Sequence, residues 1–187
     1  PVENKFRIID LSSGREVPAQ ILNRRREGAY WMLEVSDIPA MGYKALKVEV
    51  ANEPAPKEIV SGTEILENKF YKLIIDKTTG SVSSLYDKEL KQELADAQNL
   101  YDLGQPVRET LNNRRDMKSS RTTVSNVKVS AGINGPVWES IKVAMDLDGY
   151  EKGTEGAPRG IEMEVRLYKN VKKIEFKYLM NKLILTD

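Results

Sequence analysis

The chain has 187 residues, 40% of them hydrophobic and 30% charged, with a formal net charge of +1, the composition of a soluble globular protein long enough to bury a core. So balanced a charge gives no whole-chain field to draw in nucleic acid or a membrane surface, and no apolar run approaches the ~20 residues that span a bilayer. With 0 cysteines and 0 histidines, disulfides, thiol catalysis and Ser–His or Cys–His nucleophile pairs are excluded, and the usual ligands of a zinc site are missing. In chain order, residues 1–51 predict a small antiparallel β-domain. Lys5 to Leu11 reads as a strand, Ser12-Ser13-Gly14 as a turn and Val17 to Leu22 as a second strand. Ala29, Trp31, Leu33 and Val35 alternate with Tyr30, Met32 and Glu34 in a third, and Leu46, Val48 and Val50 mark a fourth. Arg24-Arg25-Arg26, between strands two and three, reads as a solvated hairpin loop rather than an anion site.

Ala51 to Glu58, with two prolines and little to bury, reads as a linker, and 52–63 is set as the inter-domain segment. The second domain covers 64–187. Tyr71, Leu73 and Ile75 alternate with Phe70, Lys72 and Ile74. Asp76-Lys77-Thr78-Thr79-Gly80 follows as a turn whose glycine suits positive φ, and Val82 to Tyr86 resumes strand chemistry. Lys88 to Gln98, rich in Glu, Leu and Ala, predicts a short helix or helical turn. Residues 101–122 and 148–160 read as loops. Val137, Glu139, Ile141, Val143, Met145 and Leu147 share one strand face, with Trp138, Ser140, Lys142 and Asp146 opposite. Ile161, Met163, Val165 and Leu167 alternate with Glu162, Glu164 and Arg166. Ile174, Phe176, Tyr178 and Met180 alternate with Lys173, Glu175 and Lys177. One apolar and one charged face predicts antiparallel sheet with a single solvated side.

The wording of residues 67–94 goes further than its periodicity. Asn68, Phe70 and Tyr71, then Asp76, Thr79 and Gly80, then Ser84-Leu85-Tyr86-Asp87-Lys88-Glu89 resemble the opening hairpin of the β-sandwich region in family 38 glycoside hydrolases, the α-mannosidases. Ile38 to Lys44, the turn Asn134-Gly135-Pro136-Val137 and the run Leu179 to Asp187 are similar to further pieces of that family, in the same order. Residues 101–122 depart from the pieces that align with it, so no family role is carried there. The resemblance implies an all-β fold: an antiparallel sandwich of the galactose mutarotase-like supersandwich type, partial and preceded by a small β-domain. It implies a parent chain that is a retaining glycosidase with a zinc ion and an Asp nucleophile, both in a catalytic domain this stretch does not include. The chain is expected to be an excised piece, inactive alone, whose partner is that catalytic domain.

For the chain's own residues no catalytic group or metal ligand is expected. Glu162 and Glu164 point to one side, but they sit among cross-strand Lys and Arg, and Glu139 interrupts an apolar stripe. Carbohydrate is a possible partner, since sugar sites use aromatic rings with Asn, Asp or Arg holding hydroxyls. Tyr101, Arg108, Asn112, Asn113, Arg114 and Arg115 supply those types in the long loop. Trp31 and Trp138 read as packing against a core or a domain seam. Leu183-Ile184-Leu185, after the last strand, predicts an unprotected sheet edge with self-association through it, or a disordered tail after Lys182. The alternatives are a stand-alone carbohydrate-binding module and a purely structural interaction domain. Nothing in the sequence sets the compartment.

Overall fold

A computed structural model of the chain describes residues 4–54, 59–60, 64–96, 98–111, 115, 118–149 and 158–181. Among these residues every regular element is a strand. The N-terminal unit holds β1 (Asn4–Asp10), β2 (Ala19–Arg25), β3 (Gly28–Leu33) and β4 (Leu46–Pro54). β1 pairs with β4, and β2 with β3, both antiparallel. Alternation along β2 and β3 gives this hairpin two apolar faces. On one, Ile21 lies opposite Trp31, and the Trp31 ring meets Phe6 of β1 edge-on at 6.0 Å. The other carries Gln20 opposite Met32.

The remaining strands are β5 (Ile59–Val60), β6 (Ile65–Glu67), β7 (Tyr71–Ile75), β8 (Val82–Asp87) and β9 (Gln92–Glu93). They are followed by β10 (Arg108–Leu111), β11 (Ser119–Thr122), β12 (Val124–Asn134), β13 (Trp138–Leu147), β14 (Ile161–Tyr168) and β15 (Ile174–Met180). A long sheet has the order β15-β14-β13-β12-β5, and a shorter one the order β6-β7-β8-β9. They form a β-sandwich: Leu66, Leu73, Ile75, Val82 and Leu85 of the short sheet pack on Ile141, Val143, Met145, Met163 and Val165 of the long one. Burying these apolar side chains between two faces is the main stabilising term, at roughly 1.5–3 kcal/mol each. The expected apolar faces of β13 and β14 are the ones buried here, while on β15 Ile174 and Phe176 are partly buried and Tyr178 and Met180 are exposed.

Three expectations are corrected. The predicted helix at 88–98 is a turn followed by β9. Asp87 Oδ1 accepts from the backbone N–H of Glu89 and Leu90 as a helix cap would, but Gln92 and Glu93 pair back onto Asp87 and Tyr86 of β8. Lys91 takes φ +54°. The predicted loop 101–122 contains the hairpin β10–β11. Its strands alternate polar with polar, so no period-two hydrophobic signal betrays them. The charged face of the long sheet is not solvated throughout: Trp138, Ser140, Arg166 and Tyr168 on it are buried. The small unit covers that end, with Met32 against the cluster of Val137, Trp138 and Tyr168. The apolar run Leu183 to Leu185 lies outside the described residues. β4 runs on to Pro54, and Ile59–Val60 pairs with Ile133 and Asn134 at the end of β12.

Candidate functional site

The motif at 67–94 is built from turn and tie chemistry. Asn68 Oδ1 accepts from the backbone N–H of Phe70 and Tyr71, while its Nδ2 donates to the Tyr168 carbonyl at 2.7 Å. One side chain thus shapes the entry to β7 and fixes the short sheet to the end of β14. Asp76 Oδ1 accepts from the N–H of Thr78 and Thr79; these two bonds hold its carboxyl below the usual carboxylate range. Gly80 closes the turn at φ +70°, and a Cβ there would stand 2.9 Å from Val143 Cγ1. Asp87 is buried. The N–H of Leu90 and then the Lys172 ammonium, 2.9 Å away, depress its pKa. Lys172 in turn is raised by Glu89 and Asp87, so the β14–β15 turn is clamped to the end of β8. Lys88 Nζ bonds Glu67 and the Asn68 carbonyl, both at 2.7 Å.

A second constellation lies at the seam with the small unit. Gln20 Oε1 accepts from the backbone N–H of Val137 at 3.1 Å and of Trp138 at 3.0 Å. Gly135 is required beside it, because a Cβ there would stand 2.2 Å from Gln20. Arg166 lies over the Trp138 ring at 4.9 Å and forks onto Glu164 at 3.0 and 2.6 Å. Burial pulls the Arg166 pKa down, but Glu164 and Glu175 more than offset it and hold it above the ordinary value. Sequence reading missed Gln20; nothing marks a strand glutamine as a cap on a turn more than a hundred residues away.

The residues expected at a sugar site are only partly gathered. Asn112, Asn113 and Arg114 lie outside the described residues. Tyr101 is half-buried. Arg121 pairs with Glu109 across the β10–β11 hairpin at 3.2 Å, and Ser119 Oγ donates to the same carboxylate at 2.5 Å. Glu109, and then Tyr101, raise the Arg121 pKa. Arg108 falls opposite Thr122, one residue out of step with the Glu109–Arg121 pair, and therefore on the other hairpin face. Arg115 is exposed in the turn. Of the other carboxylates weighed, Glu164 is engaged by Arg166, Glu139 accepts weakly from Asn134 at 3.4 Å, and Glu162 is exposed. Arg25 stacks on Tyr30 at 4.9 Å in the tight β2–β3 turn. Among the described residues no three acidic side chains converge as a metal site would need.

The outer face of the long sheet also carries a groove of ≈ 640 Å³ at the end away from the small unit. Asn126, Lys128, Ala144, Asp146, Glu162 and Leu179 are among its lining. Asn126 sits at a break in the β12–β13 register with φ 51°, and its Nδ2 donates to Asp146 Oδ2 at 3.1 Å.

Compared with protein families, residues 66–185 match the Glycosyl hydrolases family 38 C-terminal domain. A sandwich with its polar motif residues spent on turns and ties is a non-catalytic domain of that class. The match covers more than half of the chain, which therefore belongs to glycosyl hydrolase family 38. No curated protein and no solved structure matches it.

Proposed function

We propose that this chain is the β-sandwich portion of an α-mannosidase-like hydrolase, which seats the catalytic domain and shapes its carbohydrate cleft. One observation carries the reading. The polar residues of the family motif, Asn68, Asp76 and Asp87, are all turned inward to backbone N–H groups or to a lysine. Their work is to hold strands, and a domain so built supplies a rigid support. The small unit adds a docking face: Ile38, Met41, Tyr43, Val48 and Val50 are all exposed, Met41 and Tyr43 most fully. Exposed apolar side chains of this kind are surface that a partner domain can cover. The zinc and the Asp nucleophile belong, on this reading, to the catalytic domain. The chain by itself should not turn over an aryl α-mannoside, and a family 38 catalytic domain produced with it should elute as a complex and gain turnover. Turnover by the pure chain, or no complex, overturns the proposal.

A further inference from the structure

We propose that the groove on the outer face of the long sheet is a binding site for a neutral oligosaccharide, separate from any cleft the domain helps to shape. The argument begins with strand register. Lys128 pairs with Ala144, Ala144 with Glu162, and Glu162 with Leu179, so one straight row crosses β12, β13, β14 and β15. Strand spacing makes that row about 14 Å long. Three of the four side chains are long and the second is a methyl. Exposed Ala144 therefore makes a dip between a lysine and a glutamate.

The chemistry of the lining selects the ligand. Its charged residues are Lys128 and Arg159 against Asp146 and Glu162. Two charges of each sign leave no net field to hold a phosphate or a divalent cation. They do offer donors and acceptors side by side, which is what vicinal hydroxyls need, because each hydroxyl both donates and accepts. The register break in β12 turns Asn126 toward Asp146, placing an amide and a carboxylate together at one end of the groove. Bulges re-aim side chains in this way. Leu179, 62% exposed, and Ala144 supply apolar surface for the C–H face of a sugar ring. The volume, ≈ 640 Å³, lies within the ~300–1,000 Å³ of small-molecule sites.

The test is an NMR titration of the 187-residue chain with α-linked mannotriose and with maltotriose, and with inorganic phosphate as the anion control. The expected result is saturable shifts from at least one trisaccharide, centred on Asn126, Lys128, Ala144, Asp146, Glu162 and Leu179, and none from phosphate. Ala144→Trp fills the dip from the solvent side and should abolish the shifts. Glu162→Ala, also at an exposed position, should weaken binding about tenfold, the worth of one good hydrogen-bonding group. It serves alone should the tryptophan variant not fold. No saturable shift with either sugar, shifts centred elsewhere, phosphate binding in the groove, or unchanged affinity in the variants overturns the proposal. Complex formation with a catalytic domain is measured separately, so either idea can fail without the other.

Discussion

Gln20 and Trp138 are joined across 118 residues by one hydrogen bond of 3.0 Å, from the Trp138 backbone N–H to the Gln20 side-chain oxygen. The same oxygen takes the N–H of Val137, so a single buried side chain satisfies the turn that launches the central strand β13. The small unit is thus tied to the sandwich through backbone groups, and directly beneath it Trp138 packs against Tyr168 with ring centroids 5.8 Å apart.

Gln20→Met should therefore destabilise the chain by about 2 kcal/mol, since it keeps the volume but strands two buried donors at ~1–3 kcal/mol each, less any relief of strain. The offset arises because Gln20 Nε2 is itself buried without a hydrogen-bond partner, and methionine removes it. Urea unfolding measures the change. A variant within 0.5 kcal/mol of the parent, by the usual scatter of neutral substitutions, would mean that the turn does not depend on the cap.

Two glycines with nearly equal φ should respond differently to alanine. Gly14 (φ +69°) has open space where a Cβ would go, whereas at Gly80 (φ +70°) that Cβ meets Val143 and Val127 at 2.9 and 3.1 Å. Gly14→Ala should cost only the left-handed backbone penalty, about 1–2 kcal/mol. Gly80→Ala adds overpacking of the sandwich core, for a total of about 3 kcal/mol. Thermal melts of the pair decide it; equal losses would show that the core yields freely at Val143.

Acid should loosen the small unit through Asp10. Its carboxylate accepts from Ser12, from Ser13 and from Lys44, whose Nζ is 2.9 Å away, and Ser12 and then Lys44 hold its pKa well below the ordinary range. A folded-state pKa below the unfolded one, about 3.9 for Asp, gives stability that is complete above that value. It is lost as the pH falls toward the depressed one. Asp87 acts in the same direction. The melting temperature should fall steeply below about pH 4, and Asp10→Asn should flatten that fall. An unchanged slope in the variant would remove Asp10 from the account.

The outer edge of β15 should recruit a second chain. Among the described residues β15 ends the order of the long sheet, and Leu179 and Met180 on it are 62% and 56% exposed. Unpaired backbone beside apolar side chains templates further pairing. Light scattering should show mass rising with concentration, and Leu179→Lys should suppress it. A monomer at every concentration tested would refute the association.

The strand faces at the centre of the long sheet were legible because a half-buried antiparallel strand must alternate, and Ile141 to Leu147 and Ile161 to Leu167 do so, whereas Tyr178 to Met180 of β15 are exposed on both faces. The motif at 67–94 was legible for a different reason. Asn, Asp and Gly at fixed offsets make turns through contacts with their own neighbours, so Asn68, Asp76 and Gly80 carry their geometry in the local sequence. The helix expected at 88–98 failed because Lys91 turns at φ +54° and Gln92 and Glu93 pair back onto β8, a cross-strand contact that propensity alone does not weigh. The β10–β11 hairpin stayed hidden because its register rests on Glu109 and Arg121, charges that are equally at home in a loop.

What the sequence determined by itself was the all-β class, the core faces and the family, since period-two burial and turn chemistry are set within a few residues. Tertiary structure alone decided the seam at Gln20, the burial of Trp138 on the charged face, and the row from Lys128 to Leu179. Each depends on strands brought together from distant parts of the chain, and a side chain does not encode which neighbour it will meet across a sheet or a layer.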